Sequence, residues 1–155
     1  MVRGSIGEAA EHGFTLVELV VTMIVVGILA IAVIPRFADQ SGFDARGFRD
    51  GTLSILRYAQ KSAVAQRRQV CVTFGAGSVT LRIASSWGGA CDRNLAGPEG
   101  TTPYSIAAPA TSGFVAQPAD FSFLPSGAAS ADRVINVTGM PASPINVVAA
   151  TGYVY

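Results

Sequence analysis

The chain is 155 residues long; half of them are hydrophobic, 14% are charged, and the formal net charge is +1. That length accommodates one compact domain plus an anchor, not two full domains. The near-zero charge excludes a bulk electrostatic pull toward nucleic acid or anionic lipid, and the apolar content excludes a disordered chain.

The first element runs from Phe14 to Ile34. Apart from Thr15, Glu18, Thr22 and Gly27 it is apolar. As a helix rising ~1.5 Å per residue it would span roughly 30 Å, one hydrocarbon core. A cleaved secretory signal is one reading, since Ala30-Ile31-Ala32 has the form of a cleavage site. The apolar run is longer than the ~7–15 residues of such a signal, and the residues before it carry Arg3 against Glu8 and Glu11. A plain membrane anchor is a second reading. It leaves Glu18 unexplained, because an acid in a bilayer costs on the order of 3 kcal/mol and needs a partner.

A third reading rests on Gly13-Phe14-Thr15-Leu16-Val17-Glu18 followed by the long apolar tail. This stretch resembles the processing site of type IV prepilins and of type II secretion pseudopilins. The resemblance implies that a prepilin peptidase/N-methyltransferase cuts between Gly13 and Phe14 and methylates the new amine of Phe14. Residues 1–13 would then be a discarded leader and 14–34 a transmembrane and assembly helix. Glu18 would meet the Phe14 ammonium of its own or a neighbouring chain, and the resemblance implies that this pairing sets register during assembly. A paired carboxylate in low dielectric costs far less than an isolated one.

Pro35 and Gly27 are candidate kink positions, the first by removing a helix hydrogen bond and the second by weak propensity. Pro35 as a simple helix end is the alternative. Residues 36–42 read as polar and turn-prone, and Gly42, Gly47 and Gly51 lower helix propensity. From Phe48 the helical period is clear: Phe48, Thr52, Ile55, Leu56, Ala59 and Ala63 share one face. Residues 35–69 are therefore expected to form an amphipathic continuation of the helix. Arg49, Arg57, Lys61, Arg67 and Arg68 read as its solvated face, too sparse for a nucleic-acid footprint.

The period then changes to two. Val70–Phe74 and Ser78–Ile83 alternate as strands around a Gly75-Ala76-Gly77 turn. A loop-like region rich in Gly, Pro, Thr and Ala extends from Ser85 to about Ser112. Short strands are expected at Phe121–Leu124, Arg133–Val137, Ile145–Ala149 and Tyr153–Tyr155, making 70–155 a β-rich globular domain. The order matches a pilin-like α+β fold, with one long N-terminal helix, membrane-spanning in its first half, packed on an antiparallel β-rich domain.

The C-terminal part resembles the GspH/FimT subgroup of minor pilins and pseudopilins. The likeness lies in Phe123-Leu124-Pro125-Ser126-Gly127, the Ile/Val strand after it, and the closing Thr151-Gly152 turn. The runs Phe43–Phe48 and Leu56–Lys61 are similar to the MshC-like proteins of mannose-sensitive haemagglutinin pili. Some FimT-type proteins bind DNA through a Gly-Arg-x-Arg element; here Gly152-Tyr153-Val154-Tyr155 has tyrosines at both arginine positions, so the phosphate contacts are missing. Nucleic acid is not an expected partner.

Cys71 and Cys91 would lie in an oxidising compartment, where closing their loop is worth roughly 3 kcal/mol. Two buried thiols are the alternative. His12, the one histidine, falls in the leader, which leaves the mature chain without a histidine base or ligand. Asp92, Glu99, Asp120 and Asp132 follow no calcium-loop spacing and read as solvated loop acids. No cofactor, metal or catalytic group is expected. The expectation is a structural subunit, not an enzyme, anchored in a bacterial inner membrane with its globular part in the periplasm. Its expected partners are other pilins or pseudopilins and an inner-membrane assembly platform. A monomeric membrane-anchored binding module is the competing class.

Overall fold

The computed structural model describes residues 14–37 and 41–155, with side chains described for 14–30 and 42–155. The chain divides into two compact units, one ending at Asp39 and one running from Gln40 to Tyr155. Helix α1 (Leu16–Phe37) belongs to the first. The second holds α2 (Ser41–Gln66) and seven strands: β1 (Val70–Gly75), β2 (Ser78–Ile83), β3 (Arg93–Asn94), β4 (Ser105–Ala107), β5 (Phe121–Phe123), β6 (Arg133–Ile135) and β7 (Ile145–Val147).

The α+β architecture follows from two periodicities meeting. On α2, Phe48, Thr52, Ile55, Leu56, Ala59 and Ala63 are all buried, the face that three- and four-residue spacing predicts. On the sheet, Val70, Val72 and Phe74 of β1 and Val79, Leu81 and Ile83 of β2 are buried at every second position. Helix and sheet close on one core, with each fully buried aliphatic side chain worth about 1.5–3 kcal/mol. Strand order is β3-β2-β1-β5, with β4 also pairing on β2, and all pairings are antiparallel. β1 and β2 form a hairpin in the register Val70↔Ile83 to Gly75↔Ser78. A second, two-stranded sheet joins β6 and β7.

Two strand expectations need correction, and the helix of the globular unit falls inside its expected span. The helix of the globular unit runs from Ser41 to Gln66, inside the expected 35–69, despite Gly42, Gly47 and Gly51. Tertiary packing overrides propensity there: Ala45 and Phe48 are buried, and Gly51 lies against Ile106 of β4. Within the expected 35–69 span, α1 reaches Phe37 and α2 runs from Ser41 to Gln66; residues 38–40 lie outside the described residues. The loop-like region 85–112 contains β3 and β4, two- and three-residue strands too short to show a period. Tyr153–Tyr155 forms no strand of its own, although Val154 bridges Val147.

Where α2 ends, Arg67 takes a positive φ of 50°. Its N–H donates to the Val64 carbonyl at 3.3 Å and the Arg68 N–H donates to the Ala63 carbonyl at 3.1 Å. That pair of bonds is the Schellman termination, in which glycine usually holds the left-handed position.

Candidate functional site

The head of α1 is where the motif residues gather. Thr15 precedes the first helical residue, and its carbonyl accepts the first intrahelical bond, from the Leu19 N–H at 3.1 Å. Its hydroxyl oxygen accepts from the Glu18 N–H at 3.3 Å. Both halves of an N-cap are therefore present, and one of the donors a helix start leaves free is satisfied. Glu18 falls in the first turn, where a negative charge is favoured by the helix dipole. The sequence signal for this was available in Thr15-Leu16-Val17-Glu18, which has the Thr-x-x-Glu spacing of a capping box ahead of an apolar run. Glu18 thus has a local stabilising place in the first turn of α1.

Phe14 is 78% exposed, just ahead of the cap. Gly13 lies outside the described residues, as do the rest of 1–13. Along α1 the described side chains from Leu16 to Ala30 are all exposed, including Leu16, Val17, Leu19, Met23, Val26 and Ile28, which occupy every side of the helix. A helix apolar all round requires an apolar environment, either lipid or other protein. Among the described residues no helix is long and apolar enough to cross a membrane. Gly27 lies within α1 with open space where a Cβ would stand, and α1 remains helical through Pro35 to Phe37. Pro35 therefore does not end the helix.

The remaining candidates belong to the globular unit. Cys71 on β1 and Cys91 ahead of β3 are bridged, with Cα atoms 6.1 Å apart. Three of the four acids read as solvated are exposed and also fasten loops. Asp92 accepts the Ser85 N–H at 2.8 Å, Asp120 the Phe74 N–H at 2.9 Å and Asp132 the Ala149 N–H at 2.7 Å. Hydrogen bonds from the Ser85 hydroxyl, and then from its backbone N–H, hold the Asp92 carboxyl below its ordinary value. No group of three or more metal-ligating side chains occurs among the described residues. Two of the basic residues of α2 are likewise structural: Arg49 Nε donates to the Ser143 carbonyl at 2.8 Å and Arg57 Nε to the Val154 carbonyl at 3.1 Å.

The two C-terminal turns meet on α2. Gln60 Nε2 donates to the Gly127 carbonyl at 3.1 Å and to the Thr151 carbonyl at 2.9 Å. Gly127 and Gly152 both have positive φ, 90° and 65°. A Cβ on Gly152 would overlap the Gly127 carbonyl oxygen and stand 2.7 Å from Gln60 Nε2. Bringing Phe123–Gly127 onto Thr151-Gly152 is thus a backbone-to-backbone approach that only bare glycine permits. Tyr153 and Tyr155 are exposed and stack on each other, ring centroids 5.5 Å apart.

Residues 9–34 match the prokaryotic N-terminal methylation motif. The matched segment encloses Gly13, Phe14, the Thr15 cap, Glu18 and Gly27. Among solved structures, the chain is similar to the type IV minor pilin FimU of Pseudomonas aeruginosa, at 14% identity and a TM-score of 0.47, over 71% of this chain and 90% of that one. No curated protein sequence matches it significantly.

Proposed function

We propose that this chain is the precursor of a minor pilin or pseudopilin, a structural subunit and not an enzyme. The observation that carries the reading is the methylation motif standing in frame at the head of an apolar helix exposed on every side. A peptidase cuts after Gly13, Phe14 becomes the methylated N-terminus, and 14–34 anchors the subunit in the inner membrane until it joins a filament. Glu18 then has two successive uses. It stabilises the first turn of α1, and after cleavage it stands beside the new ammonium groups of its own and neighbouring chains. The globular unit faces the periplasm, where a disulfide between Cys71 and Cys91 persists. The filament is a pilus of the mannose-sensitive haemagglutinin type or a type II secretion pseudopilus. The likeness to GspH/FimT and MshC-like proteins supports that range, and the tyrosines at 153 and 155 argue against a DNA-binding role.

The experiment is Glu18→Val with two readouts: the N-terminal sequence, and crosslinking from the anchor helix to neighbouring subunits. Removing the acid makes insertion easier by about 3 kcal/mol, so a simple anchor would be improved. A filament subunit is expected to be cleaved after Gly13, to accumulate in the membrane, and to lose its crosslinks. Wild-type crosslinking of Glu18→Val would remove the assembly role of the acid.

A further inference from the structure

A cavity of about 330 Å³ opens between the C-terminal end of α2 and the β3 edge of the larger sheet. That is the small end of the range in which proteins hold ligands. Tyr58 and Arg68 line it from the helix side, and Arg93, Asn94 and Leu95 from β3 and the residue after it. The Schellman ending of α2 turns the chain so that Arg68 comes to the cavity, its N–H held on the Ala63 carbonyl at 3.1 Å. Ile83 and Leu95, which also line it, are buried side chains of the core. The Tyr58 hydroxyl donates to the Ala96 carbonyl at 2.8 Å, and the Tyr58 ring stands edge-on to Tyr104. These contacts fix the walls before anything binds, which lowers the cost of binding.

β3 is the outermost strand of its path, β3-β2-β1-β5, so one side of it has no strand neighbour. The Leu95 N–H donates to the Leu81 carbonyl at 3.3 Å, which makes Leu81 and Leu95 a hydrogen-bonded pair. Antiparallel pairs alternate, so the next pair, Arg82 and Asn94, is of the other kind. The Asn94 N–H and C=O therefore point away from β2, toward the open edge, and neither has a partner among the described residues. The charge beside that edge has one sign. Arg68 and Arg93 form no ion pair and no side-chain hydrogen bond among the described residues. No acidic side chain among them lines the cavity. Asp92, the acid next to Arg93, accepts the Ser85 N–H.

We propose that this groove binds an extended acidic segment of a partner protein, which pairs with the Asn94 N–H and C=O on the open edge of β3 and sets its carboxylates on Arg68 and Arg93. The backbone groups decide the class of ligand. Asn94 offers a donor and an acceptor together, and another peptide backbone answers both, as in strand addition to a sheet edge. A carboxylate or a phosphodiester alone supplies acceptors only. The arginines decide the side chains: two cations without partners match carboxylates at alternate positions, which an extended segment presents on one face. The groove lies on the globular unit and is independent of how the N-terminus is processed.

The test is an NMR titration of the full chain in detergent micelles, reading the Asn94 amide. The probe is the peptide acetyl-Thr-Glu-Val-Glu-Thr-amide, whose blocked ends carry no charge. Its control is the same peptide with both Glu replaced by Gln. The acidic peptide is expected to shift the Asn94 amide saturably and to slow its hydrogen exchange. The Gln peptide is expected to bind several-fold more weakly. Arg68→Gln and Arg93→Gln are each expected to weaken the acidic peptide by about two- to fivefold, the range for exposed ion pairs, and added salt to do the same. Comparing the two peptides on the wild-type chain keeps the test independent of whether either variant folds. An Asn94 amide that does not move with the acidic peptide would overturn the proposal. Equal binding of the Glu and Gln peptides would overturn it by removing the arginines. Sodium acetate that reproduces the full Asn94 shift and protection would overturn the strand pairing and leave a simple anion site.

Discussion

Gly152→Ala is expected to be among the most damaging single-methyl additions in the globular unit. Three costs combine. The residue sits at a φ of +65°, where a Cβ costs about 1–2 kcal/mol. The new methyl overlaps the Gly127 carbonyl oxygen, a backbone atom that cannot swing aside as a side-chain end would. It also presses on Gln60 Nε2, which must leave the Gly127 and Thr151 carbonyls it now serves, and each such bond contributes about 0.5–1.5 kcal/mol net. The sum is about 3–5 kcal/mol, a large share of the ~5–15 kcal/mol that holds a domain folded. The assay is urea unfolding of the full chain in detergent, read by the protease resistance of the globular unit. Gln60→Ala serves as the control, expected to lose about 1–3 kcal/mol because it removes the amide without a clash. A loss under about 1 kcal/mol for Gly152→Ala would mean that the two turns do not meet as described.

Arg67→Gly is expected to stabilise the same unit by about 1 kcal/mol, since glycine accepts the left-handed position without the Cβ penalty; a loss of stability in the same urea assay would contradict the Schellman ending of α2. Cys91→Ser is expected to cost about 3 kcal/mol under oxidising conditions and nothing once wild type is reduced, because the cross-link acts by constraining the unfolded chain. Asp92 has a folded pKa below its ordinary 3.8. Its contribution is thus complete above the unfolded value and is lost as pH falls through the folded one. Asp92→Asn is expected to flatten the acid limb of a stability-against-pH curve below about pH 4, leaving neutral pH comparisons free of this titration; an unchanged acid limb would remove Asp92 as a contributor.

How much of this was legible in the sequence depends on the length over which each pattern repeats. The buried face of α2 and the β1–β2 hairpin repeat their period often enough to be read directly, as the burial of Ile55, Leu56, Val72 and Leu81 shows. β3 and β4 are held by pairing with β2, and two or three residues carry no period of their own. The first turns of α2 carry three glycines that signal weak local propensity, and Ala45 and Phe48 are fixed there by burial. Glu18 was conspicuous as an acid in an apolar run, while the bond from its backbone N–H to the Thr15 hydroxyl is marked only by the Thr-x-x-Glu spacing. The roles of Asp120, Asp132, Arg49 and Gln60 could not be read, since each bonds a backbone group far along the chain, and a backbone group leaves no mark in the residue alphabet. Gly127 and Gly152 were noticed as separate turns; that they touch is a property of the folded chain.

The central claim is that this chain is cut and methylated at the head of α1. Its most direct test is mass spectrometry of the N-terminal peptide of the protein recovered from its native membranes. The account predicts a peptide that begins at Phe14 and is heavier than its sequence by one methyl group on the terminal amine. A mature protein whose peptides run unbroken across Gly13–Phe14, or whose N-terminus is Met1, Val2 or Val33, would contradict it.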